Sequence, residues 1–84
     1  MATSGRVRLG DIFKMLDECA PGYTFQETEH HFRITYQNAV FPSLPNGEHG
    51  KRDGRAEIQK GVVKKMVRVL GVYDCAVGIL QVLR

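Results

Sequence analysis

Apolar residues recur at helical spacing at Leu9, Ile12, Met15, Leu16 and Cys19, with Asp11, Lys14, Asp17 and Glu18 between them. That period predicts an amphipathic helix over residues 8–19. Pro21-Gly22 ends it, because proline cannot continue the ladder and glycine permits the exit. From Tyr23 the period changes to two. Tyr23, Phe25 and Glu27 alternate with Thr24 and Gln26, which predicts a first strand, and Glu27-Thr28-Glu29 reads as a polar turn. Along His30–Tyr36, Phe32, Ile34 and Tyr36 share one face, while His31, Arg33 and Thr35 share the other. Gln37-Asn38 suits a tight hairpin, since asparagine tolerates the left-handed conformation. Ala39–Leu44 is a third strand, and Pro42, which lacks a ladder donor, assigns it to an edge.

Residues 45–56 contain Pro45, Gly47, Gly50 and Gly54 among mixed charges and read as a loop. Val62, Val63, Met66, Val67 and Leu70 then form an apolar stripe on a helix that Gly71 stops. Asp74 is placed to cap a last short helix, with Val77, Leu80 and Val82 or Leu83 packing inward. No internal repeat is evident. The pattern predicts a flexible N-terminus over residues 1–7 and a single α+β domain over 8–84, ordered α-β-β-β-α with a further short helix. Short turns make the strands an antiparallel sheet, and two amphipathic helices must bury their stripes on one of its faces. The other face stays open and carries His31, Arg33 and Thr35.

The length of 84 residues fits one domain with a modest core, burying roughly 60–65% of the unfolded chain's surface. A deep active-site pocket is excluded at this size, so any site is shallow. The net charge of +3 matters through its distribution. Lys51, Arg52, Arg55, Lys60, Lys64, Lys65 and Arg68 face only Asp53 and Glu57 within one segment. Such asymmetry points to a polyanion or an acidic partner, or else to a solvated helix face. Cys19 and Cys75 lie in apolar helical patterns with no Cys-x-x-Cys or metal spacing, and read as reduced core residues of a cytoplasmic protein. No apolar stretch is long enough to span a bilayer. The glycines lack nucleotide-loop spacing, and no small-molecule cofactor is implied.

Two segments resemble the HicA toxin family. Glu57-Ile58-Gln59-Lys60-Gly61-Val62-Val63-Lys64-Lys65-Met66-Val67 is similar to that family's acidic-apolar-x-basic-Gly-x-x-basic-x-apolar-apolar opening of its second helix. Gly22-Tyr23, followed by His30-His31-Phe32-Arg33-Ile34, resembles its histidine at the start of a strand. The resemblance covers roughly residues 9–72. It implies a double-stranded-RNA-binding-like fold and a small mRNA endoribonuclease held inactive by a HicB-type antitoxin protein. Thr28-Glu29 stands where the family places Gly-Ser, and Pro45 is followed by Asn46 rather than by the family's Pro-x-His. Alignment on Phe32-Arg33-Ile34 makes His31 the counterpart of the family histidine. Alignment from the preceding turn makes it His30, and one gap placement puts Glu29 there.

Metal-free RNA cleavage needs a base at the ribose 2′-OH and a donor for the leaving oxygen. An imidazole, with an ordinary pKa near 6.5, serves either step. Cations must offset the charge growing on the phosphate. His31 and Arg33, two residues apart on one strand face, would have Cα atoms about 6.5–7 Å apart. That spacing lets both reach one phosphodiester. His30 shares parity with Phe32 and so points toward the core, opposite to His31. The two cannot chelate one ion, and no cysteine completes a tetrahedral set, so no metal site is expected. Lys60, Lys64, Lys65 and Arg68 would contact RNA phosphates, with Gly61 letting backbone amides approach. A non-catalytic RNA- or DNA-binding module, or a protein-interaction domain, would keep the basic helix and dispense with the histidine.

Overall fold

The computed structural model describes residues 5–46 and 56–83. Along them run β1 (Arg6–Arg8), α1 (Leu9–Cys19), β2 (Thr24–Glu27), β3 (His31–Tyr36), β4 (Ala39–Pro45), β5 (Glu57–Gln59), α2 (Lys60–Leu70), α3 (Tyr73–Ile79) and a 3-10 turn, Gln81–Leu83. They form an α+β domain with a three-stranded antiparallel sheet, β2-β3-β4, and three helices. His49 and the basic loop residues Lys51, Arg52 and Arg55 lie outside the described residues.

Two strands join the predicted elements, and they start both long helices. β1 pairs with β5 in antiparallel register, Arg6 opposite Gln59, Val7 opposite Ile58 and Arg8 opposite Glu57. Residues 6–8 are therefore structured, unlike the flexible start that the sequence of residues 1–7 predicts. Three residues are too few to show a period, yet Val7 and Ile58 are both buried. Neither α1 nor α2 has a side-chain N-cap. The ribbon supplies one bond to each helix start instead. The Leu9 amide donates to the Ala56 carbonyl at 2.7 Å, and the Lys60 amide donates to that of Gly5 at 2.8 Å. Each would otherwise be an orphan donor of a helix start.

The ribbon also reveals an internal correspondence invisible to sequence inspection. Each half is a three-residue strand feeding an eleven-residue helix. Five buried positions coincide, although buried Leu9 answers to exposed Lys60: Val7 matches Ile58, Ile12 matches Val63 and Met15 matches Met66. Leu16 and Val67, then Cys19 and Leu70, continue the match. The shared positions are apolar but mostly not identical, so no repeat shows in the letters.

The helices cover one face of the sheet. Phe32 lies opposite Leu44 and Ile34 opposite Phe41, which puts these side chains on the face toward the core. Phe25, opposite Ile34, shares that face but is half exposed at its margin. A bulge lies between Phe32 and Ile34, where β4 carries one residue more than β3. It lets Phe41 and Leu44, three apart, both turn inward while Pro42 and Ser43 are exposed. β4 is an edge strand, where Pro42 loses no ladder bond. In the hairpin the left-handed residue is Gln37, with φ 55°, rather than the asparagine beside it.

Gly71 adopts φ 77° and ends α2 with two bonds, its own amide to the Arg68 carbonyl and that of Val72 to the Val67 carbonyl. Asp74 does not cap α3. Val72 holds that position and Asp74 lies in the first turn. Ala76, Leu80 and Leu83 carry the C-terminal segment into the core.

The two cysteines correct the sequence reading most sharply. Cys19 and Cys75 are joined in a disulfide, with Cα atoms 5.7 Å apart. The expectation of reduced thiols fails because the end of α1 and the first turn of α3 meet only in three dimensions. Closing this 56-residue span stabilises the fold by about 4 kcal/mol on the chain-entropy scale. Among the described residues, no helix is long and apolar enough to cross a membrane.

If the ribbon carries core packing, Ile58→Ala lowers the unfolding free energy by about 2–5 kcal/mol. Arg8→Ala, at the exposed position opposite Glu57, changes it by less than about 0.5 kcal/mol. Urea denaturation separates the two, and equal small effects would remove the ribbon from the core.

Candidate functional site

The polar sheet face is built by strand parity. His31 and Arg33 are exposed, on the side of β3 opposite the buried Ile34. Arg33 lies opposite Gln26 on β2, and on its other side stands the β4 bulge with exposed Pro42 and Ser43. The helices pack on the far side, so nothing in the helical layer covers this surface.

The turn before His31 is tightly specified. The Thr28 amide donates to the His31 carbonyl at 2.8 Å. The Thr28 hydroxyl donates to the same carbonyl at 3.1 Å and accepts from the His31 amide at 3.3 Å. Asn46, fully buried just beyond β4, holds the turn from the other side. Its Nδ2 lies 2.9 Å from Glu27 Oε2, 3.3 Å from the Thr28 carbonyl and 3.2 Å from that of Glu29. Its backbone amide donates to the His30 carbonyl at 3.1 Å. Asn46 Oδ1 is buried and has no hydrogen-bond partner among the described residues. Asn46 thus fixes the segment that delivers His31 to the sheet. Sequence reading passed over it, because a buried asparagine after a proline looks like any loop asparagine.

His30 does not point into the core, as strand parity with Phe32 would place it. β3 begins at His31, so His30 belongs to the turn, where parity has no force. Its side chain is 53% exposed, with Nε2 3.8 Å from Glu29 Oε2. The two imidazoles meet edge to face, with centroids 6.5 Å apart. Among the described residues no cluster of three His, Cys, Asp or Glu side chains is arranged to hold a metal ion.

The predicted cations of α2 form a second surface. Lys60, Lys64 and Arg68 stand at successive i, i+4 positions, with Lys65 beside them. Lys60, Lys65 and Arg68 are exposed and Lys64 is partly so, while Val63, Met66, Val67 and Leu70 face the core. The helix has no acidic residue, and none of the four cations makes an ion pair among the described residues. Each like-charge i, i+4 pair costs roughly 0.2–0.5 kcal/mol. Lys60 also places positive charge at the positive end of the helix dipole. An anion on this face would relieve both penalties.

Arg6, which the sequence reading set in the flexible start, and Arg8, which it set at the first turn of the first helix, extend the same charge. With Lys60 they line an open groove of about 1320 Å³ between the β1–β5 ribbon and the C-terminal turn. Glu57 lies in the groove too, 3.8 Å from Arg6, as an exposed and weak pair. His31 and Arg33 do not line this groove. The α2 cations point outward from the helical layer, and His31 and Arg33 point outward from the sheet. The fold therefore brings His31 together with Arg33, and Lys60 together with Arg6 and Arg8, but keeps the two sets on opposite surfaces.

Tyr23 secures the exit of α1 toward the sheet. Its phenol pKa is raised above the ordinary 10.0, first by burial, then by the negative charge of Asp17 and its side-chain hydrogen bond to that carboxylate. Its ring stacks near Phe13 and Phe25, within a cluster that reaches Phe32.

Compared with protein-family models, with curated proteins and with solved structures, the chain matches none.

Two outcomes follow from this geometry. Asn46→Ala removes three part-buried hydrogen bonds and leaves a small void at a buried position, and it costs about 1–3 kcal/mol. Amide exchange should quicken at residues 28–31 in that variant, and unchanged exchange there would separate Asn46 from the histidine turn. Tyr23, isolated as the absorbance difference between wild type and Tyr23→Phe, ionises above pH 10, and Asp17→Asn lowers its midpoint. Its stability contribution is fully present below pH 10 and is lost as pH rises through the raised folded value.

Proposed function

We propose that the chain is an RNA-acting protein of the HicA type, with a double-stranded-RNA-binding-like fold and metal-independent endoribonuclease activity. Its regulator would be a HicB-type antitoxin protein. The observation that carries this reading is the exposed pair His31 and Arg33 on the open sheet face, beside a turn that Thr28 and Asn46 hold in place. The motif resemblance at Glu57–Val67 supports it independently.

In this mechanism the His31 imidazole takes the proton of a ribose 2′-OH. The 2′-oxygen attacks the adjacent phosphorus, the bond to the 5′-oxygen breaks, and a 2′,3′-cyclic phosphate forms. The leaving oxygen takes a proton from an imidazolium or from solvent. Arg33 offsets the charge on the phosphate as the transition state develops. His30, half exposed in the turn, is the alternative base. Lys60, Lys64, Lys65 and Arg68 hold the RNA backbone through contacts that release counterions.

One observation favours a second reading. The α2 cations and His31 lie on opposite surfaces, which a non-catalytic RNA-binding module would accommodate without difficulty. The two readings part at His31. Under the first, wild-type protein cleaves RNA and slows growth when expressed, and His31→Ala loses both effects while unfolding normally. RNA that stays intact with wild type and variant alike would end the nuclease reading. Under either, Lys64→Ala with Lys65→Ala lowers the slope of log affinity against log salt by roughly 1.5–2. An unchanged slope would place the RNA elsewhere.

A further inference from the structure

The disulfide has the surroundings of a reactive bond rather than an enclosed staple. Cys19 is only 8% exposed, whereas Cys75 is exposed. Both line a cleft of about 600 Å³ that also holds Tyr36, Arg68, Tyr73 and Asp74. The Arg68 guanidinium lies 5.0 Å from the centroid of the Tyr73 ring, which keeps a cation at the cleft. Asp74 carries the opposing charge on the same rim. Access for an attacking sulfur and a cation near the leaving thiolate both speed thiol–disulfide exchange.

We propose that Cys19–Cys75 is a thiol–disulfide exchange site for a dithiol reductant, entered at Cys75. A thiolate of the reductant attacks Cys75 Sγ. A mixed disulfide forms, the bond to Cys19 breaks, and its electron pair leaves on Cys19 as a thiolate, which Arg68 stabilises until it takes a proton. The second thiol of the reductant, deprotonated by solvent, attacks its own partner sulfur in the mixed disulfide. That step releases Cys75 as a thiolate, which is then protonated. In sum the dithiol becomes a disulfide, and the protein gains two electrons and two protons. Reduction unties α3 from the end of α1, while Ala76, Leu80 and Leu83, which are buried in the bonded form, are separate anchors of the C-terminal segment. The proposal does not depend on RNA binding.

The test uses the intact chain and dithiothreitol, with iodoacetamide quenching and intact-mass counting of modified thiols. Without reductant, the denatured protein takes up no label. In native buffer two thiols appear at a rate proportional to dithiothreitol concentration. Arg68→Gln slows that rate about threefold. Arg68→Lys restores most of it, and Lys14→Gln, on the exposed side of α1, leaves it unchanged. A rate that levels off as dithiothreitol rises would mark reduction through unfolding and overturn the proposal, as would equal rates for wild type and Arg68→Gln. Labelling without reductant would remove the bond itself.

Discussion

The rest of the structure depends on the pairing of β1 with β5. Six residues hold two helices, because each strand runs directly into one. The ladder's terminal bonds reach Leu9 and Lys60, the first residues of helices that have no side-chain cap. Ribbon pairing and helix initiation are therefore coupled. Val7 and Ile58 turn inward together, and the helices leave the ribbon with equivalent stripes facing one core. Ile34, Phe41 and Leu44 supply the opposite wall of that core from the sheet.

Two departures from regularity shape the sheet's outer surface. The β4 bulge buries both Phe41 and Leu44 and leaves Arg33 beside exposed Pro42 and Ser43. Asn46 and Thr28 bind the backbone that leads into His31. The first sets the surroundings of the Arg33 side chain and the second the backbone that carries His31. On the other side of the domain, α2 accepts like-charge repulsion along Lys60, Lys64 and Arg68. Such local conflict is readily understood where an anion completes the surface.

Much of this was legible in the chain. The stripes of α1 and α2 and the alternation of β3 are periods repeated over enough residues to stand out, and Gly22 and Gly71 take the left-handed conformations their positions require. Exposure of His31, Arg33 and the α2 cations followed from the same periods. The weak points were short segments. β1 and β5 have three residues each, too few to display a period of two. His30 was misplaced because a strand period was carried one residue into a turn. Asn46 gave no signal, since its acceptors at Glu27, Thr28 and Glu29 are distant in the chain.

By itself the sequence determined the α+β class, the three-stranded sheet and the polar faces, because hydrophobic period and turn chemistry are local properties. Only the tertiary structure decided the ribbon that begins both helices, the Cys19–Cys75 bond and the separation of the sheet's histidine from the basic helix. Each depends on which distant segments meet. Two cysteines in separate apolar stripes read alike whether they pair or not, and only the packing of α3 against α1 brings their Cα atoms to 5.7 Å.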